Sequence, residues 1–532
     1  MAVPPRLRGP VRGHGRADAE SGLITSPRRW RGLVVVMVLI GANVVIRGQG
    51  LTPWLDQNYP RVYDEWSYQT IGYLWSHHGV LPYRDIRSED KTPGTMLLFR
   101  YTTQHWGTSM VVPRLLAVGA GTGTALLLLL VGGHLYGRTV GLAAAALWTL
   151  AAASPRMGTD GVLTEPFALP FAVAGWGAAC LAARRGSVLW AAAAGVAFGC
   201  AFLFKQPWAL EFAAAGLYLA VSPGVRRAAA VGGLLCGFAL AMAGISVFYA
   251  HQGILADAWR VTLLGPLDLS GRAHLPLLER GYRATQCALG YFVPGVLWFG
   301  PMAIALPRLL SHRSRDAERL TLCWLVASGL AALAAGKLFP HQLLQFLPAA
   351  CLAGGVGIVE FVAAANRLDR GQWTWLRGAC ILLGSWCAAV PVSESLAETT
   401  HQWARWVYLG EPAPPSPSSE LAIADAVRSM SQPGDRVFVW GDSDFVYMLA
   451  DRRPAARHLN AILARRSDAM KADIIASLRQ TPPELIVWES MSGLHRSDRF
   501  PELEGLLANS YHLVRHVGGY CIYELGPLSA AR

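Results

Sequence analysis

The stretch Tyr63 to Gly94 reads YDEWSYQTIGYLWSHHGVLPYRDIRSEDKTPG. It packs acids, cations and aromatics between two long apolar segments. In a chain of 532 residues that is 53% hydrophobic and 15% charged, such a stretch belongs where membrane meets water. Apolar runs of about 20 residues can cross a hydrocarbon core about 30 Å thick. The candidate runs are roughly 30–48, 113–133, 139–154, 163–183, 187–204, 207–222, 228–250, 287–307, 320–336, 342–362 and 378–393. The expected fold class is therefore a polytopic α-helical membrane protein of about eleven transmembrane helices.

The formal charge of +12 would suggest nucleic acid in a soluble protein. Here the arginines fall in the N-terminal tail and in short loops, at Arg138, Arg184-Arg185, Arg226-Arg227, Arg308 to Arg319 and Arg367 to Arg377. All lie on one side if the spans alternate, and the positive-inside rule makes that side cytoplasmic. No nucleic-acid partner is expected. Residues 1–29 read as a cytoplasmic basic tail and 30–393 as the membrane domain, with 49–112 as its first outer loop. The localisation implied is the cytoplasmic (inner) membrane, multi-pass. Eight of the nine cysteines sit in apolar segments, so no disulfide framework or metal spacing is visible.

After the last span, hydrophobicity drops. Residues 394–418 form a linker containing the proline-rich run Pro412 to Pro417, and 419–532 read as a small extracytoplasmic α/β domain. Ser419 can cap a helix to Met430, Arg436 to Trp440 and Leu485 to Trp488 read as strands, and Arg466 to Gln480 as a helix. Tyr511 to Val517 and Tyr520 to Leu525 form a hairpin across Gly518-Gly519. Its acids Asp442, Asp444 and Asp451 read as surface residues without chemistry.

On the outer side, Asp64-Glu65 stands about 15 residues past the first span, where a carboxylate can accept a proton from an attacking hydroxyl or simply start a helix. Lysine occurs only at Lys91, Lys205, Lys337 and Lys471. Lys91 precedes Thr92-Pro93-Gly94 at headgroup level, where it can partner a lipid phosphate or flank the membrane as an ordinary snorkelling residue. Thr164-Glu165-Pro166, Phe204-Lys205-Gln206-Pro207 and Lys337-Leu338-Phe339-Pro340-His341 place further ionisable groups at span boundaries, where they are tolerated with or without function. Gln342 and Gln345 lie on one helical face and read as interhelical glue. Glu211, in the sixth span, and Arg114, at the start of the second, are the exceptions to the gathering of ionisable groups at one face.

These residues together resemble the C-type glycosyltransferases that use polyprenyl-phosphate sugars, the dolichyl-phosphate-mannose protein mannosyltransferase and aminoarabinose lipid A transferase group. The resemblance runs from Tyr63-Asp64-Glu65 through Pro82-Tyr83-Arg84-Asp85, Lys91-Thr92-Pro93-Gly94, Leu163-Thr164-Glu165 and Phe202 to Pro207, to Phe339 to Gln345. The tail is similar to the family's outer domain at Pro433 to Gly441. The resemblance implies a hexosyl- or pentosyltransferase with a polyprenyl-phosphate sugar donor, membrane lipids around it, and an acceptor protein, lipid or polysaccharide. Asp64 is then the catalytic carboxylate, with Glu65 beside it. Lys91 and Lys205, with Arg84 and His341, bind the donor phosphate, and Tyr83, Asp85, Glu165 and Lys337 line the substrate. Relatives can use an acid before the lysine for a divalent metal, which makes Asp90 a candidate ligand; no cofactor is otherwise implied. The chain departs from the family in having Thr92-Pro93-Gly94 where two prolines often follow the lysine, and Gln342 where a tyrosine often follows the histidine. A rival reading from another class is a lipid or solute transporter with an outer binding domain, and a further one is a non-catalytic assembly factor. Against transport, the ionisable groups gather at one face instead of mid-bilayer, where coupled sites lie.

Overall fold

Backbone immersed in hydrocarbon must satisfy its N–H and C=O groups within its own segment, so apolar runs of span length fold as helices. The computed structural model describes residues 27–49, 63–87, 92–151, 162–223, 226–272, 299–311, 315–334, 340–367, 378, 418–441, 443–459, 464, 467–489 and 500–526. Its helices include α1 (Pro27–Gln49), α2 (Tyr63–His78), α3 (Pro93–Trp106), α4 (Val111–Tyr136), α5 (Arg138–Ala151), α6 (Thr164–Arg185), α7 (Val188–Phe204), α8 (Trp208–Val221), α9 (Arg227–His251), α10 (Leu255–Arg272), α11 (Asp316–Ala334) and α12 (Leu347–Ala365). Among the described residues, α4, α6, α9, α11 and α12 are long and apolar enough to cross a membrane. Shorter apolar helices cover Val34–Gly48, Arg138–Ala151, Val188–Phe204 and Trp208–Val221. Most of the expected run 287–307, and 378–393 apart from Gly378, fall outside the described residues.

Local sequence sets the joints. Gly186, left-handed at φ 61°, ends α6 directly after Arg184-Arg185, and Ser187 caps α7 by accepting the Trp190 N–H. The pair makes a tight helical hairpin, as a C′ glycine followed by an N-cap serine should. Helices α7 and α9 cross so closely that a Cβ on Gly237 would lie 1.9 Å from the Ala192 carbonyl oxygen. Two departures from expectation matter here. The run expected at 342–362 opens as a 3-10 turn, Pro340–Gln345, and becomes α-helical from Leu347; Pro348 favours a helix start there because it has no N–H to contribute. The expected loop 251–286 holds α10, with Ile254 and Ala258 buried.

The C-terminal domain carries α13 (Ser418–Met430), β1 (Arg436–Trp440), α14 (Phe445–Ala450), β2 (Arg453–Pro454), α15 (Asp468–Gln480), β3 (Leu485–Glu489), α16 (Pro501–Ser510), β4 (Tyr511–Val517) and β5 (Tyr520–Leu525). The five-stranded sheet has order β2-β1-β3-β5-β4, parallel across β2-β1-β3 and antiparallel from β3 to β5 to β4. Side chains alternate between its faces. Phe438, Ile486 and Trp440 pack with Met470, Ile474, Leu503 and Leu507 from α15 and α16. Val437, Val439 and Val487 join Ile423 and Val427 of α13 and Phe445 to Leu449 of α14. That second core continues without a break into Trp66, Ile71, Leu74 and Trp75 of α2 and Met96 and Phe99 of α3.

Candidate active site

Asp64 and Glu65 both stand in the first turn of α2, and neighbouring helical residues point about 100° apart. The structure separates them accordingly. Glu65 is fully buried: one carboxylate oxygen accepts from Arg114 Nη2 at 2.8 Å and the other from the Val162 backbone N–H at 2.7 Å. Both members of the Glu65–Arg114 pair have fully buried side chains. The pair ties α2 to the first turn of α4, and the Val162 bond ties it to the chain entering α6. Asp64 is half-buried and so remains within reach of a ligand. Glu65 holds the turn in place and Asp64 is the carboxylate it presents.

A second constellation forms from residues far apart in sequence. Lys205 Nζ donates to Glu165 Oε1, and His341 Nε2 lies 3.8 Å from the same oxygen. The Glu165 side chain is 2% exposed, against 21% for Lys205 and 25% for His341. Glu165, which the sequence reading assigns to the substrate, therefore sits behind two more exposed basic groups. Its position follows from the helix break at Lys205-Gln206-Pro207, which ends α7, and from the start of α6 one residue before Glu165. The Thr92 hydroxyl donates to the Phe204 carbonyl at 2.6 Å, and Gly94 approaches α7 so closely that a Cβ would lie 2.8 Å from Leu203 O. Thr92-Pro93-Gly94 is thus locked against Phe204-Lys205, a contact a proline at position 92 could not make because it has no hydroxyl. Lys91, Lys337 and the metal-ligand candidate Asp90 lie outside the described residues. Among the described residues, no three His, Cys, Asp or Glu side chains converge to hold a metal ion.

The remaining expected residues belong to a turn. Asp85 Oδ2 accepts the Leu81 N–H at 2.9 Å, and Arg84 Nε donates to Asp85 Oδ1 at 3.0 Å in an exposed pair. Tyr83 takes φ 70°, a conformation that costs a bulky residue of order 1–3 kcal/mol. It is buried edge-on to Tyr249, ring centroids 5.8 Å apart. Tyr83 and Asp85 therefore shape the turn, and Arg84 rides on its surface.

The C-terminal domain docks on this assembly. Phe445 packs on Trp66, two residues along α2 from Asp64, with ring centroids 3.9 Å apart. The Arg87 N–H donates to Arg457 O at 2.7 Å, and Arg453 donates to the His78 carbonyl at 3.2 Å. Tyr73 Oη and His78 Nε2 each lie 2.8 Å from Asp451 Oδ1. Sequence reading had placed Asp444 and Asp451 at the surface. Asp444 is instead fully buried, because it begins α14 beneath the sheet, whereas Asp451 is exposed as expected and also serves as an interdomain tether; Asp442 lies outside the described residues.

Partial burial pushes the Asp451 carboxyl up, but the hydrogen bonds from Tyr73 and His78, with the charges of His78 and Arg452, outweigh it and hold the carboxyl below its usual range. A group depressed on folding contributes stability above its unfolded pKa of about 4 and loses it as pH falls through the lower folded value. The tether is therefore expected to weaken below about pH 4, read as faster hydrogen exchange in α2 and α14. Asp451→Asn, which tolerates the left-handed backbone at φ 58°, is expected to remove that acid limb. An unchanged acid limb in the variant would show that other groups carry it.

Residues 90–251 match the family model described as dolichyl-phosphate-mannose-protein mannosyltransferase. A solved structure of the archaeal oligosaccharyltransferase AglB from Archaeoglobus fulgidus, in complex with an inhibitory peptide and a dolichol-phosphate, superposes with TM-score 0.57 at 13% identity over 94% of this chain and 75% of that one. ArnT from Cupriavidus metallidurans bound to undecaprenyl phosphate superposes with TM-score 0.56 at 15% identity over 94% of this chain and 100% of that one. The fold is the C-type glycosyltransferase fold. A comparison with curated proteins finds no match. The family-model segment contains Thr92, Glu165 and Lys205, the residues the bundle brings to one end.

Within this C-type fold, sequence reasoning missed Arg114 as the partner of Glu65, and Glu211 as a buried acceptor. The signal was present for both. A charge inside an apolar span needs a partner or a task, and each residue stood alone in its run.

Proposed function

We propose that this chain is a membrane glycosyltransferase that moves a sugar from a polyprenyl-phosphate donor to a hydroxyl of an envelope acceptor, with inversion. The observation that carries the reading is the convergence of Lys205, Glu165 and His341 in a C-type fold, at the end of the bundle where α2 bears Asp64. The acceptor hydroxyl attacks the anomeric carbon and gives its proton to Asp64. The bond from that carbon to the phosphate oxygen breaks, and the electron pair leaves with polyprenyl phosphate. Phosphate is a good leaving group, so one base suffices, and Lys205 with His341 stabilises the charge that develops on it. Cations held ready before the reaction supply the large term in such chemistry. Glu165 keeps Lys205 and His341 oriented, and a lysine with three donors can bind Glu165 and a phosphate oxygen together.

Lys91 is assigned to the same phosphate because the next residue, Thr92, is bonded to the carbonyl before Lys205. The arginine distribution supports an orientation with the site and the C-terminal domain extracytoplasmic and the N-terminus cytoplasmic, in the inner membrane. The ligands of the two similar structures, dolichol-phosphate and undecaprenyl phosphate, support a lipid-phosphate donor. The sugar is a hexose or a pentose, and the acceptor a protein, a lipid or a polysaccharide.

Lys205→Ala tests the reading. Losing one charge-assisted contact costs about 1.5–3 kcal/mol, so donor affinity in membranes supplied with polyprenyl-phosphate sugars is expected to fall roughly tenfold to a hundredfold. Wild-type affinity and turnover in the variant would make Lys205 a membrane-edge anchor and remove the donor site from this end.

A further inference from the structure

Glu211 has no part in the chemistry above, yet it is a fully buried carboxylate inside an apolar helix. Burying such a group without partners is costly, and a packing role alone would be served as well by leucine. Its partners are specific. Trp176 Nε1 donates to Oε2 at 2.8 Å, and Gln345 Nε2 donates to Oε1 at 3.4 Å. Trp176 lies on α6, the helix whose first turn carries Glu165. Gln345 ends the 3-10 turn that carries His341. Glu211 itself lies in the first turn of α8, directly after the Lys205-Gln206-Pro207 break. The elements that supply Glu165, Lys205 and His341 thus meet a second time, on one carboxylate.

The two junctions differ in stiffness. Trp176 is fixed by stacking on Trp324, ring centroids 5.9 Å apart, and by the edge of Phe198 at 5.7 Å. Gln345 belongs to a short 3-10 turn, whose hydrogen-bond geometry is poorer than that of an α-helix. A rigid donor on one side and a soft element on the other make the carboxylate a datum for the soft one.

We propose that Glu211 is a positioning residue of the phosphate site: through Gln345 it sets the 3-10 turn so that His341 faces Glu165 beside Lys205. The inference rests on the donor-phosphate reading above and extends it to a residue that touches no substrate. Active groups need their supporting shell fixed to a fraction of an ångström, and Glu211 supplies that for His341.

The test titrates undecaprenyl phosphate into the purified full-length protein in lipid nanodiscs, with thermal unfolding as the check on folding. Glu211→Ala is expected to weaken binding about tenfold, a size typical of a lost supporting contact, and Glu211→Gln, which keeps one carbonyl acceptor, to weaken it less. A residue that acts through His341 gives no further loss once His341 is gone, since coupled sites are non-additive. Glu211→Ala should therefore be silent in a His341→Ala background. An equal loss in both backgrounds would make Glu211 a general structural residue and overturn the inference. Wild-type binding by Glu211→Ala, with binding lost in Lys205→Ala, would overturn it while leaving the phosphate site standing. Unchanged binding in Lys205→Ala would remove the phosphate site and this inference together. Should Glu211→Ala fail to fold, Gln345→Leu removes the same bond from the other side, and the same non-additivity with His341→Ala is expected of it.

Discussion

Asp64→Asn is expected to bind donor normally and to transfer sugar roughly 10²-fold more slowly or worse, the usual size of a general-base contribution. Asparagine matches aspartate in shape and can still accept one hydrogen bond, but it cannot take the acceptor's proton. The structure sharpens this expectation. Asp64 is half-buried in the first turn of α2, and that turn is clamped by Glu65 to Arg114 and Val162 and by Trp66 to Phe445 of the C-terminal domain. A neutral isostere leaves the Glu65 and Trp66 clamps intact. Single-turnover transfer and donor binding, measured side by side, decide the matter. Normal transfer by the variant would take this carboxylate out of the chemistry.

The second large effect is on stability. Glu65→Ala removes the carboxylate that pairs with the fully buried Arg114 guanidinium and strips the Val162 N–H of its acceptor. Breaking a buried pair by removing one partner costs about 3–5 kcal/mol, out of a total of about 5–15 kcal/mol for a folded protein. The variant is expected to unfold at markedly lower temperature, or to yield little folded protein, in a detergent thermal-shift measurement. Glu65→Gln keeps the shape and loses the charge, so it should fall between. Replacing both partners, as Glu65→Leu with Arg114→Met, removes the buried charges together and should recover much of the loss. If Glu65→Ala were as stable as wild type but inactive, the carboxylate would belong to the reaction and not to the framework.

Much of this protein could be read along the chain. Apolar length gave the helices, since hydrocarbon leaves a backbone no alternative. In the C-terminal domain the strands at Arg436–Trp440 and Leu485–Glu489 and the terminal hairpin follow alternation and turn residues, which are local. Gln345 was read as glue and does bond across helices. The helices Phe445–Ala450 and Pro501–Ser510 were missed because their stability comes from packing beneath and beside the sheet, which no window of sequence contains.

The sequence by itself determined that acids and cations gather at span ends, because a charge in hydrocarbon is too costly to keep elsewhere without a partner. It could not say which of them meet. Asp64 and Glu65 are adjacent and chemically alike, and only the placement of Arg114 beside α2 makes one the buried anchor and leaves the other accessible. Glu165, Lys205 and His341 were equivalent boundary residues until the bundle set two basic groups around one carboxylate and put that carboxylate behind them. Asp451 is a surface residue, as its sequence context suggests, but its bonds to Tyr73 and His78 exist only where the C-terminal domain meets α2. Side-chain pairing over such sequence distances is decided by how helices cross and domains dock, and those are properties of the packed chain as a whole.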